Sequence, residues 1–301
     1  MNYLMLGISV FIGSWKNLVS KKISASKEEL SQTMLLNIWT LPIALIITVL
    51  LGTEMFRTMD IHHIPLWIAA FYAFSSLTAQ TTFFIAVRLG PVSLCTLFYS
   101  CGFIVSTIFG VIYYRESVNV FHIIGILLVV LSFVFAVDKK EGEKVNVRYL
   151  IASFCSMIAS GCIGISQKLF FSLHPGESME GFLIVSYVLM IFLSGVIYIA
   201  LVLKRHPGCV EKAKPEKREK IINLFFIILF GMLFGAYQKV NTYLAGALPS
   251  VVVFPVLNGG VITFTAILSA CVYKEKLSSK QMMGIFVCVV SIILISLGQI
   301  L

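Results

Sequence analysis

Residues 91–116 read PVSLCTLFYSCGFIVSTIFGVIYYRE, and residues 249–275 read PSVVVFPVLNGGVITFTAILSACVYKE. Each stretch opens on proline and carries no charge until Arg115 or Lys274. Each then closes on tyrosine, a basic residue and glutamate. Crossing the hydrocarbon core of a bilayer takes about 20 mostly apolar helical residues, and both stretches satisfy that length. Outward from these two, eight further runs have the same character, giving ten in all: 3–19, 34–51, 64–87, 91–113, 118–137, 147–171, 179–203, 221–248, 249–273 and 282–301. The connections are short, apart from a charged loop at 204–220 that holds Pro207 and Pro215.

Composition agrees with the runs. Hydrophobic residues make up 58% of the 301 and charged residues 12%, against about 45–50% and about 25% in soluble domains. The mean hydropathy is +0.96. The chain therefore reads as an all-α integral membrane protein with the lipid bilayer as its main partner. Its net charge of +9 belongs to connecting loops that meet anionic headgroups, and no basic-aromatic array points to nucleic acid. Cys95, Cys101, Cys155, Cys162, Cys271 and Cys288 lie inside apolar runs without metal spacing and read as small packing residues. The first run lacks a basic leader and a cleavage site, so it is expected to stay as an anchor.

The two quoted stretches are also related. Pro91 and Pro249, Gly102 and Gly260, and Gln80 and Gln238 each stand 158 residues apart. Tyr114-Arg115-Glu116 and Tyr273-Lys274-Glu275 stand 159 apart, as do Gly125 and Gly284. Ser14, Lys16 and Ser20 match Ser166, Lys168 and Ser172 at 152. This order predicts two five-helix repeats, residues 1–137 and 148–301, joined by a linker at 138–147. Five is odd, so the second repeat is expected to be inverted, the arrangement that gives many transporters two interconvertible packings about a central site.

On these features the chain resembles the drug/metabolite transporters of the EamA-like type. The matching residues are Trp15-Lys16 closing the first helix, the Gly90-Pro91 link opening the fourth, and the Arg115-Glu116 and Lys274-Glu275 turns, each followed nine residues later by Gly125 or Gly284. The resemblance spans essentially the whole chain. It implies a ten-helix carrier with a central cavity, working by alternating access, and cytoplasmic termini.

The basic residues imply the opposite orientation. The face that holds both termini carries Arg57 and Arg115, whereas the other face carries eighteen Lys and Arg. The positive-inside rule puts the termini outside the cytoplasm.

The remaining three basic residues, Lys16, Lys168 and Lys239, fall within runs. Ionisable groups inside a membrane face a cavity or a partner unless they snorkel to the interface. All fourteen Asp and Glu are read as belonging to the stretches between runs, with Glu180 at the very start of the run 179–203 counted among them, so these lysines are expected to lack a protein counter-ion. An anionic or zwitterionic solute is expected to supply it. Lys239 stands in a polar cluster with Gln238, Asn241 and Thr242. Gln80 and Gln238 are expected either to bond across the cavity or to tie neighbouring helices. Tyr99, Trp15 and Tyr237 are candidate lining residues. Pro255 with Asn258-Gly259-Gly260 is expected to weaken or kink the ninth run, and Ser100-Cys101-Gly102 to interrupt the fourth, exposing backbone at the site. Gly231-x-x-x-Gly235 reads as a helix-packing motif.

These readings converge on a secondary transporter that moves a small organic anion or zwitterion, with a possible coupling ion, across the plasma membrane. A flippase of lipid-linked or amphiphilic substrates is an alternative, as is an exporter of cationic drugs. Small multidrug exporters place a glutamate in the first helix, where this chain reads Gly13-Ser14-Trp15-Lys16. No cofactor is expected: there is no nucleotide-binding glycine loop, and His62, His63, His122, His174 and His206 are scattered without metal spacing. An enzyme would need an activated nucleophile, paired acids or a metal site, so none is expected here.

Overall fold

Most expected spans become single helices in the computed structural model, which describes residues 1–24, 30–52, 64–89, 92–136, 146–203, 217–273 and 279–298. The described residues form eleven α-helices and no strand. The helices are α1 (Asn2–Ser24), α2 (Leu30–Leu50), α3 (Leu66–Leu89), α4 (Val92–Ser100), α5 (Gly102–Tyr114), α6 (Val120–Ala136), α7 (Val147–Leu173), α8 (Met179–Leu203), α9 (Lys217–Ala247), α10 (Ser250–Tyr273) and α11 (Ser279–Gly298). Among the described residues, seven stretches are long and apolar enough to cross a bilayer, in α2, α3, α4–α5, α7, α8, α9 and α10. The apolar parts of α6 and α11 are shorter, Val120–Phe135 and Met282–Gly298. Helix α1 has the length but also holds Lys16, Lys21 and Lys22, and is not among the seven. The chain is an all-helical membrane protein.

Its packing is that of a protein surrounded by lipid. Ser9, Ser14, Ser153, Ser156, Ser166, Ser186 and Ser194 are fully buried, while Phe74, Ile112, Leu127, Phe192 and Phe286 are more than 60% exposed. Lipid chains are as apolar as leucine, so apolar side chains gain little by turning inward. Small residues do, because they let helices approach closely. Many buried hydroxyls donate to a carbonyl one turn back in their own helix, as Thr48 does to Ala44 and Ser186 to Phe182.

Helix α1 packs on α9 and α10, α2 on α8 and α9, α3 on α7 and α8, α5 on α7 and α10, and α6 on α11. One end of the bundle, called proximal here, gathers the start of α1 with the end of α9, where the Tyr243 hydroxyl donates to Asn2 at 3.3 Å. It also gathers the start of α6 with the end of α11, where Asn119 donates to the Gly298 carbonyl at 2.7 Å. At the distal end Ala86, Cys95 and Tyr149 bury one another where α3 stops and α4 and α7 begin.

Two expectations about helix breaks have different outcomes. The fourth run is divided, with α4 ending at Ser100 and α5 starting at Gly102, although Cys101 keeps right-handed dihedrals of −66° and −6°. Helix α10, in contrast, runs unbroken through Pro255 and Asn258-Gly259-Gly260. Pro255 lies early in that helix, so the bond it removes is near an end. The Asn258 amide turns back to the Phe254 carbonyl at 2.9 Å and adds a local tie.

Close approaches mark the interfaces. A Cβ on Gly235 would lie 2.6 Å from the Ala44 backbone oxygen, and one on Gly231 2.9 Å from that of Thr40. The Gly231-x-x-x-Gly235 stretch is thus the surface on which α9 meets α2. Across α5 and α7, a Cβ on Gly161 would lie 2.7 Å from the Gly102 carbonyl. Because these obstacles are backbone and cannot swing aside, Gly235→Val is expected to destabilise the fold by at least about 1–3 kcal/mol. Gly195→Ala, which meets nothing within 4 Å, is expected to be neutral or to gain up to about 1 kcal/mol from helix propensity. Melting temperatures of the two variants in detergent test the contrast; equal melting would show that the α2–α9 contact is loose.

Candidate functional site

The three lysines within the spans are held in three ways. Lys168, near the end of α7, lies 3.2 Å from Glu116 Oε1 and donates to the Leu248 carbonyl at 2.8 Å. Glu116 stands just after α5. Its Oε1 also accepts from the Ser250 hydroxyl at 3.0 Å, and its Oε2 accepts from the Val251 backbone N–H at 3.2 Å. The carboxylate therefore caps the start of α10, while the ammonium caps the end of α9. Each charge sits at the helix end whose dipole favours it. An open cleft of about 280 Å³ beside the pair is lined by Tyr114, Glu116, Lys168, Phe171, Ser172 and Gly246.

Lys239 of α9 lies 3.0 Å from Glu180 Oε1, in the first turn of α8, with both side chains mostly buried. These two pairs correct the expectation that the intramembrane lysines have no protein counter-ion. Glu180 is itself part of a spanning helix, and Glu116 reaches in from a turn. Neither Lys168 nor Lys239 has a charge free for a solute in this arrangement.

Lys16 of α1 is different. Its ammonium lies 4.4 Å from the centre of the Tyr237 ring and 5.9 Å from that of Phe234, both on α9. No carboxylate pairs with it among the described residues. Gly13, one turn earlier, lets Tyr237 lie against α1, since a Cβ there would come within 2.5 Å of the ring. A ring face replaces only part of an ammonium's hydration, about 0.5–2 kcal/mol, and leaves its three N–H donors without an anionic acceptor. Such an ammonium can still donate to an added acceptor.

Tyr237 also joins this lysine to other expected residues. It lies beside Asn241 and close to Tyr99. Asn241 accepts from the Ser9 hydroxyl of α1. Tyr99 packs edge-on to Phe83 at 5.3 Å and approaches Tyr72. The Tyr72 hydroxyl accepts from Gln238. Lys16, Tyr237 and Asn241 thus lie together between α1 and α9, with Tyr99 and the Gln238–Tyr72 pair in the same part of the bundle.

The other expected residues are placed elsewhere or otherwise engaged. Gln80 and Gln238 do not bond to one another. Gln80 accepts from Asn37 of α2 at 2.8 Å, and Gln238 is tied to Tyr72 of α3, so each links neighbouring helices. Asn258 bonds within its own helix. Trp15 packs edge-on to Phe11 of the same helix at 6.3 Å. Sequence reading did not single out Ser9, Asn37, Tyr72 or the Gln167–Thr242 bond of 2.9 Å between α7 and α9. Small polar residues in a span are too common to signal a site by themselves.

No known protein family matches the chain, and no curated protein does. A solved crystal structure described only as that of a protein superposes on it with a TM-score of 0.72, over 98% of this chain and 96% of its own, at 14% identity. The likeness is one of fold. It shows that this arrangement of helices has been observed before, over nearly the full length of both chains.

Proposed function

We propose that the chain is a secondary transporter of the EamA-like drug/metabolite type, which moves a small organic anion or zwitterion across the plasma membrane by alternating access. In this reading α4 and α5 form one interrupted span, and ten spans make two inverted five-helix repeats. The packing supports it. Exchanging first-half for second-half helices turns the α1–α9 contact into α7–α3, α1–α10 into α7–α5 with α7–α4, and α2–α9 into α8–α3. The α2–α8, α5–α10 and α6–α11 contacts map onto themselves. Such interchange is what two related packings about a central site require.

The observation that carries the solute class is Lys16, held by rings and without a carboxylate among the described residues. A carboxylate or phosphate group on the solute would complete its coordination, and Asn241, Gln238 and Tyr99 would offer hydrogen bonds to the rest. A thermal-shift screen of anions, zwitterions and cations tests this. A ligand at about 100 times its Kd adds roughly 2.7 kcal/mol. Stabilisation by anions or zwitterions is expected; a response only to cations or only to lipids would favour the drug exporter or the flippase instead.

The distribution of basic residues puts the proximal end outside the cytoplasm. A reporter fused after Leu301 is expected to report an extracytoplasmic location, and a cytoplasmic signal would reverse the assignment.

A further inference from the structure

Lys16 and Lys168 stand 152 residues apart at matching places in the two halves, yet they are held in opposite ways. Lys168, at the proximal end, is locked between a carboxylate and a helix-terminal carbonyl. Lys16, toward the distal end of α1, lies against rings and has no carboxylate partner among the described residues. Through Glu116 and Lys168 the ends of α5, α7 and α9 and the start of α10 meet at one point. The approach of α10 to α5 is close enough that a Cβ on Gly110 would collide with Ser250 and lie 3.2 Å from Glu116 Oε2. The second pair, Lys239–Glu180, ties α9 to α8 toward the same end.

We infer that the Glu116–Lys168 pair is a catch that holds the proximal end shut. Its release opens that end. This rests on the alternating-access reading above. The physical basis is that the pair joins the end of α5 to the end of α7, so parting the two charges loosens these helices from one another and leaves each held to the α9–α10 corner by its own hydrogen bonds alone. Two packed arrangements that differ in one such contact exchange as discrete states rather than by gradual deformation.

Two repeat-matched reporters test it. Ser166 and Ser14 each lie two residues before their lysine and are fully buried. Ser166→Cys and Ser14→Cys are placed separately in protein reconstituted in nanodiscs, where both faces meet a membrane-impermeant maleimide. Labelling at each site is resolved from the native cysteines by mass spectrometry. Glu116→Gln is expected to raise labelling of the Ser166→Cys thiol by about tenfold or more, within the usual range of coupling between sites, and to leave the Ser14→Cys thiol, buried in this arrangement, without a rise. Lys168→Met, which leaves Glu116 free to cap α10, is expected to do the same.

Unchanged labelling at Ser166→Cys overturns the proposal, and so does a rise at both reporters, which marks general loosening. Failure of both variants to fold overturns it too, since the pair is then a static strut. The transport reading fails separately: a rise confined to Ser166→Cys without stabilisation by any solute would leave the catch and remove the cargo. Solute stabilisation with unchanged labelling would do the reverse.

Discussion

Lys16→Met is expected to cut stabilisation of the protein by an organic anion to about half or less while leaving its unliganded melting temperature unchanged or slightly raised. The ammonium has ring faces around it and no carboxylate among the described residues, so removing it orphans no described opposite charge. Methionine fills a similar volume, and an apolar replacement for a buried charge is often neutral or stabilising. The bound state loses a charge-assisted hydrogen bond of about 1.5–3 kcal/mol, or roughly 10–150-fold in affinity. Thermal shift with the best anion from the screen, read on wild type, Lys16→Met and Lys16→Arg, measures it. Arginine keeps the charge and should retain part of the effect. An undiminished shift in Lys16→Met would remove the anion site from this centre.

Lys239→Met is expected to behave in the opposite way, losing stability before it loses binding. Its partner Glu180 would remain mostly buried without a counter-charge, and breaking such a pair from one side costs about 3–5 kcal/mol. The remaining exposure of both side chains, 14% and 17%, places the loss toward the lower figure. Lys239→Met combined with Glu180→Gln removes both charges and is expected to recover most of it. If the double variant melts as low as the single one, the Lys239–Glu180 contact is not what stabilises this part of α9.

The contrast between these lysines shows what could be read from the sequence and what could not. Spans are legible because hydrocarbon tolerates few charges and demands internally bonded backbone, so α2, α7, α8 and α10 announce themselves by composition. Gly231 and Gly235 are legible as a contact surface because only small residues allow such an approach. Counter-ions are not, since pairing is decided by which ends of which helices meet. Glu116 lies in a turn and Lys168 in a later helix, and only the crossing of α5, α7 and α10 brings them together. A clue was present in the Tyr-Arg-Glu turn that recurs as Tyr-Lys-Glu, and in the matched lysines. Pro255 removes one backbone donor five residues into α10, and the helix runs on through it.

Helices α9 and α10 are joined by Leu248 and Pro249 alone, and hardly a polar atom of that corner is left loose. Leu248 N–H bonds to the Leu244 carbonyl at 3.0 Å, and the Pro249 carbonyl accepts from both Val252 and Val253 at 3.0 Å. The proline ring fixes one backbone torsion outright. Two helices welded in this way behave as a single bent rod, in which rotation at the corner is delivered along both arms instead of being absorbed. One arm carries Tyr237 about 15 Å from the corner, and the other carries Gly260 against Val10 of α1. A tilt begun at the Glu116–Lys168 end is therefore felt as leverage on the rings that cover Lys16.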